Sequence, residues 1–281
     1  MTDIEHRSRD ILQANLGEPG RFEELAYASW NVAAESKLSM IGDRDLEFAP
    51  ETIVITQLIA GYDALHAIAL LWRATSGRTL PVALSPLLRL ATFSGSKLIW
   101  LLRTDLEAPS ATRFARLTRD TATEAVKAYR ALAETVDDDG LRATLANREA
   151  ALRAARKHAG SSYRRVHFPT DADLWVQGVA FALPHRDDIE FQARRDWNLL
   201  SGDSHAQPWT PDLRWRIDAT RPTPDLERPG RVRIKTSLTT NEYAHHVQIA
   251  VAVCDAALAL ALNAGLEQAH RRTEFESKGP A

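Results

Sequence analysis

The chain has almost no cysteine: a single residue, Cys254, in 281. That excludes a disulfide within the chain and a zinc site built from several thiolates, and a reducing compartment fits it. Lysine is scarce too, with six among the 35 Lys and Arg residues. Basic charge is therefore carried almost wholly by guanidinium groups, and an Arg- and Ala-rich, Lys-poor composition suggests a GC-rich bacterial genome. Neither sign of charge dominates. With 37 acidic residues the net charge is -2, so the chain as a whole has no bulk attraction to nucleic acid or anionic lipid. Residues 1–10 are charged throughout and lack the apolar core of a secretory signal. An uninterrupted apolar run of the about 20 residues that span a bilayer is also missing, since the most apolar stretch, 247–266, is broken by Gln248, Asp255 and Asn263. The expectation is a cytoplasmic protein. Repeats and flexible linkers are absent as well, and the chain reads as one domain over 1–281, with 271–281 a frayed tail.

What is present is helical periodicity almost everywhere. The spacing predicts helices over 4–16 (stopped by Gly17), 22–41 (stopped by Gly42), 51–75 and 81–103. Further helices are predicted over 109–136, 141–158, 171–183 (capped by Thr170), 187–204 and 237–270. Helix 51–75 is apolar nearly all round and belongs at the centre of the fold. Helix 81–103 contains Ser94-Gly95-Ser96, small residues that let a neighbouring helix come close. Helices 109–136 and 141–158 are joined by an acidic turn, Asp137-Asp138-Asp139-Gly140, and read as an antiparallel hairpin. Between 207 and 236 the helical pattern breaks, and five of the 13 prolines fall there. Two stretches in this excursion alternate with period two, 213–217 and 231–235, a strand signal. The fold class is thus all-α: a single bundle of about eight helices, with a small two-stranded β-ribbon before the C-terminal helix.

Four groups of residues carry candidate chemistry. The first follows Arg194 and Arg195 into Trp197-Asn198-Leu199-Leu200-Ser201-Gly202-Asp203-Ser204-His205. At helical spacing Trp197, Ser201 and His205 share a face. A hydroxyl beside an imidazole can act as nucleophile and base, but no orienting acid or oxyanion site accompanies it. The plain alternative is a helix end, with His205 on terminal carbonyls and Ser201 bonded to its own turn. The second group is a pair of short motifs, Asp63…His66 and Glu242…His245. An acid and a His three apart on a helix point the same way, and two such pairs facing each other make half of a di-metal carboxylate site. The alternative is that each pair satisfies its own neighbourhood.

The third candidate is Arg89, in the apolar helix 81–103, where an internal ion pair with Asp63 or Glu242 competes with a waiting anion site. The fourth is the ribbon, whose Arg214, Arg216, Arg231, Arg233 and Lys235 would fall on one face. They can grip phosphates or an acidic partner, or merely keep an exposed edge from pairing. An Ala-rich last helix suits close helix contact, so a homodimer is expected. No cofactor is legible.

Two patches resemble a loose group of bacterial all-helical proteins. One is Leu88-Arg89-Leu90 followed by Trp100-Leu101-Leu102, then Arg113, Arg116 and Arg119. The other runs from Trp197 through Leu200-Ser201 to His205. The group is distantly similar to the HEPN-type helical bundles, some of which cut RNA. The resemblance covers about half the chain through short patterns. Phe93 stands where the group often carries an acid. The Arg-then-His signature of HEPN ribonucleases has one match here, Arg153…His158, on the most polar helix. The residues point first to a binding or regulatory protein whose polar pocket uses Arg89, Ser201 and His205, with Asp63, His66 and His245. The resemblance implies a helical bundle and, as an alternative function, a ribonuclease, and the two acid–His pairs offer a metal-dependent bundle enzyme as the other alternative.

Overall fold

Gly17 ends the first helix and Pro19 starts the second, the positional preferences expected of these residues at helix ends. The computed structural model describes residues 3–42, 48–77, 81–158, 168–204 and 239–268. Their elements run α1 (Asp3–Leu16), α2 (Pro19–Ala26), β1 (Trp30–Val32), α3 (Lys37–Gly42), α4 (Pro50–Ala74), α5 (Pro81–Leu102), α6 (Ser110–Thr135), α7 (Asp139–His158), α8 (Asp171–Ala182), α9 (Ile189–Ser204), α10 (Thr240–Asn263) and β2 (Leu266–Gln268). The expected all-α helical bundle is what forms.

Three stretches differ from the sequence expectation. Residues 22–41 are not one helix. The chain leaves α2 at Ala26, and Trp30–Val32 becomes a strand paired antiparallel with Leu266–Gln268 in the register Trp30↔Gln268, Asn31↔Glu267 and Val32↔Leu266. This pairing joins segments more than 200 residues apart and overrides the local helical period. Glu35 then takes a left-handed conformation (φ 59°) before α3. The last helix does not reach 270. Gly265 adopts φ 103°, and a Cβ there would collide with Ser36, so the chain turns into β2 instead. Finally, α9 begins at Ile189 because Asp188 sits at φ 57°. The small sheet therefore has one strand after the C-terminal helix. The ribbon expected at 213–217 and 231–235, its five basic residues, the rest of the excursion 207–236 and the tail 271–281 lie outside the described residues.

The described residues divide into two compact units. One draws on Met1–Tyr27, Leu58–Trp100 and Thr170–Leu258, the other on Ala28–Gln57, Leu101–Pro169 and Ala259–Ala281. In the first, the core is built from the inward rows of its helices, among them Leu12, Phe22, Leu65, Leu88, Trp175, Leu200, Val247 and Cys254. Close approach is set by small residues, as Ser94-Gly95-Ser96 suggested. A Cβ on Gly178 of α8 would lie 2.6 Å from Ser96 Cα, and one on Gly95 would lie 2.8 Å from Val253 Cγ1 of α10. Thr170 caps α8 as expected, accepting from the Asp173 amide at 3.2 Å.

In the second unit α6 and α7 pack as the expected hairpin, tied across by Arg130 and Glu149 at 3.2 Å. Arg113 of α6 is buried there. Its guanidinium donates to the carbonyls of Leu101, Arg103 and Ala108 and to Ser110 Oγ, so a cation closes the carbonyl end of α5. Burial, and then the nearby Arg103, push the Arg113 pKa down to about 10, which leaves it charged at neutral pH.

Two helices, Pro50–Ala74 and Thr240–Asn263, are long and apolar enough to cross a membrane by length and composition. Of their most apolar stretches, 44% and 50% lie buried inside the protein.

Candidate metal centre on helices α9 and α10

The inward row of α9 is Ile189, Ala193, Asp196, Leu200 and Asp203, all buried. Such a row is the face an amphipathic helix gives to the core, and here two of its five places are acidic. Asp203 accepts a hydrogen bond from Ser85 Oγ of α5 at 2.9 Å. Asp196 is fully buried, and what surrounds it is ionisable.

Helix α10 supplies two of its neighbours. The helix starts with a capping box: Thr239 Oγ1 accepts from the Glu242 amide at 3.1 Å, and Glu242 Oε2 accepts from the Thr239 amide at 2.8 Å. Tyr243, Ala244, His246, Val247 and Ala250 then form its buried side. His246 is 4% exposed, and the His245 side chain, at the edge of that side, is 18% exposed. His245 Nε2 lies 2.8 Å from Asp196 Oδ2, and His246 Nδ1 lies 3.9 Å from the same oxygen. The two imidazoles are 5.4 Å apart, centroid to centroid. Arg195 donates from Nη2 to Asp196 Oδ1 at 3.2 Å, and Arg186 Nη1 approaches His245 Nδ1 at 3.4 Å. Asp196 and His246 close the inner side of the cluster, while His245, Arg195 and the exposed Arg186 form its outer side.

Burial alone would raise the Asp196 pKa. The His245 hydrogen bond, with the nearby His246, His245 and Arg195 charges, outweighs it and holds the carboxyl below its ordinary range. One ligand atom from each of Asp196, His245 and His246 lies within 4.8 Å of the other two. This arrangement can hold a cation between the rings and the carboxylate, or orient an imidazole for proton transfer.

Of the residues singled out from sequence, His245 and Arg195 belong to this cluster and the others do not meet in it. Asp63 is exposed and accepts from Tyr27 Oη at 3.4 Å. His66 Nδ1 lies 3.2 Å from the Pro19 carbonyl. Glu242 is engaged in the cap of its own helix. The pairs Asp63…His66 and Glu242…His245 are therefore not the halves of one metal site: the three-ligand group among the described residues is Asp196, His245 and His246.

Arg89 lies over the Trp197 ring at 4.3 Å, within an aromatic cluster where Trp197 also meets Phe93 at 5.9 Å and Trp175 at 5.6 Å. Lys97 lies over Phe93 at 4.5 Å, and burial lowers its pKa. Ser201 is half-buried on α9. The serine that bonds back to its own turn is Ser204, to the Leu200 carbonyl at 2.6 Å. Arg153 pairs with Glu149, while His205 and the His158 side chain lie outside the described residues.

Asp196 and His246 were missed from sequence. The signal was there: counting back from Leu200 and Asp203 in steps of three and four puts Asp196 on the row of Ile189 and Ala193. Comparison with protein-family models, with curated proteins and with solved structures gave no match.

Proposed function

We propose that this chain is a binding protein whose functional centre is the Asp196–His245–His246 cluster with Arg195 and Arg186 at its outer edge. The observation that carries this reading is a fully buried carboxylate whose neighbours are two imidazoles and a guanidinium rather than backbone donors. A buried charge cluster stabilises a fold poorly, because desolvation offsets most of the Coulombic gain and apolar residues of similar size do as well or better. Clusters of this kind gather at sites that bind or react. The partly exposed edge of His245 is where a charged small ligand enters. The composition, with one cysteine, supports a cytoplasmic setting for that role, and the Ala-rich α10 supports a homodimer.

Native mass spectrometry of the untagged protein tests the reading, run beside elemental analysis of the same sample. It expects a retained small ligand or ion in the wild type that is lost in His245→Gln. No retained species in either protein counts against it.

A second reading is metal-independent cleavage of RNA, in the manner of the HEPN-type bundles that the sequence resembles. One contact favours it: Arg186 at 3.4 Å from His245 Nδ1, on an imidazole oriented by Asp196 through its other nitrogen. Nδ1 can take the proton of a ribose 2′-hydroxyl as that oxygen bonds to phosphorus and return it to the departing 5′-oxygen, while the guanidinium holds the phosphate. This reading predicts RNA cleavage that persists in EDTA and disappears in His245→Ala.

A further inference from the structure

We infer that the ligand of this cluster is a first-row divalent transition-metal ion, held by an Asp196 carboxylate oxygen, His245 Nε2 and His246 Nδ1. The inference rests on the binding-site reading above and names its ligand. Three features support it.

The first is donor chemistry. Two imidazoles and one carboxylate form a nitrogen-rich set that suits zinc, iron(II), cobalt or nickel, whereas magnesium and calcium take sets made of oxygen. The second is geometry. Ions of this kind bind such atoms at about 2.0–2.2 Å, which separates neighbouring ligand atoms by roughly 3–3.5 Å. The observed separations from Asp196 Oδ2 are 2.8 Å to His245 and 3.9 Å to His246, and all three atoms lie within 4.8 Å. Shifts well under the length of a side chain bring them to coordination distance.

The third is charge and support. A dication offsets the buried Asp196 charge without a net cost in buried anion. Arg195 already holds the other carboxylate oxygen at 3.2 Å, the kind of outer contact that orients a metal-binding carboxylate. All three ligands project from helices, and Asp196 and His246 stand on core-facing rows, so the set is fixed by packing.

Binding changes which ring nitrogen of His245 carries the proton. In the ion-free protein Arg186 donates toward Nδ1, which leaves the ring proton on Nε2, pointing at Asp196. With an ion on Nε2 that proton sits on Nδ1, and the exposed Arg186 turns to solvent. Three protein ligands leave at least one coordination position for water or for an anionic molecule, on the side of Arg186 and Arg195.

The test uses the full-length untagged chain, stripped with EDTA and dialysed. Cobalt(II) is titrated in while the visible d–d absorption is followed, and zinc and magnesium are titrated calorimetrically. The expected result is one cobalt or zinc ion per chain at micromolar affinity or tighter, with no response to magnesium. Asp196→Asn and His246→Gln should each weaken the affinity by about 100-fold or more with unchanged circular dichroism. His245→Gln, at the partly exposed edge of the cluster, provides a third variant that depends less on core packing.

Absence of cobalt and zinc binding in the wild type, or equal affinity in the three variants, overturns the inference. If no metal binds but an organic anion is retained by the wild type and lost in His245→Gln, the metal inference falls while the binding-site reading stands. If nothing is retained at all, both fall.

Discussion

Arg113 and Asp196 are the two most instructive buried charges in the described residues, at 1% and 0% exposure, and they are solvated in opposite ways. Arg113 is held mainly by backbone carbonyls. Three carbonyls and a serine hydroxyl accept from it, none of these can titrate near neutral pH, and all are fixed by the path of the chain between α5 and α6. Asp196 is surrounded by side chains, the guanidinium of Arg195 on its own helix and the two imidazoles of α10. A charge solvated by backbone is architecture, because removing it leaves carbonyls with no way to adjust. A charge solvated by side chains is adjustable: rings can rotate, and Arg195, 45% exposed, can turn to water. On the proposed reading, that adjustability suits the Asp196 cluster to binding more than to fastening the fold.

Removing the Arg113 guanidinium should have the largest effect. Arg113→Met orphans the Leu101, Arg103 and Ala108 carbonyls together and is expected to cost about 3 kcal/mol, read by urea denaturation. Arg113→Lys keeps the charge without the planar fork and should recover only part of the loss. Full recovery would show that charge alone matters there, and the contrast with Asp196 would weaken.

An intermediate case sharpens the comparison. Arg89 is solvated partly by the Trp197 ring, and Arg89→Met keeps the stem while deleting the cation. A loss of about 1 kcal/mol is expected, with a change in tryptophan fluorescence from the Trp197 cluster.

The smallest effect belongs to a charge solvated by water. Asp105 is exposed beside Arg103, whose hydrogen bond first, and charge after it, lower its pKa from 3.8 to about 2. A carboxyl depressed in the folded state contributes its full stabilisation above the unfolded value and loses it as pH falls through the folded one. The contribution should therefore fade between pH 3.8 and about 2, shrink with added salt, and vanish in Asp105→Asn. A melting-temperature profile against pH in low and high salt reads all three.

Much of the fold was legible because helices are specified locally. The apolar rows, the Thr170 cap and the small patch Ser94-Gly95-Ser96 each act within a few residues or through one close approach. The β1–β2 pairing was not legible, because a three-residue strand has no periodicity of its own and its partner lies at the other end of the chain. The site was half legible. His245 and Arg195 stood out as residue types, but Asp196 reads as one acid among many until its row on α9 is followed inward, and its imidazole partners lie 49 and 50 residues further on. Glu242 misled because an acid three residues before a His and the closing acid of a Thr-x-x-Glu cap look the same. The cap wins, since it satisfies amides that the start of α10 would otherwise leave open.

The central claim is that the Asp196 cluster serves binding rather than stability, and the stability of the metal-free Asp196→Asn protein tests it most directly. Asparagine keeps the shape and an acceptor for His245 Nε2–H. The account predicts an unfolding free energy within about 1 kcal/mol of the wild type, or above it. A loss of about 3 kcal/mol or more, comparable to that of Arg113→Met, would contradict it and make Asp196 a part of the architecture.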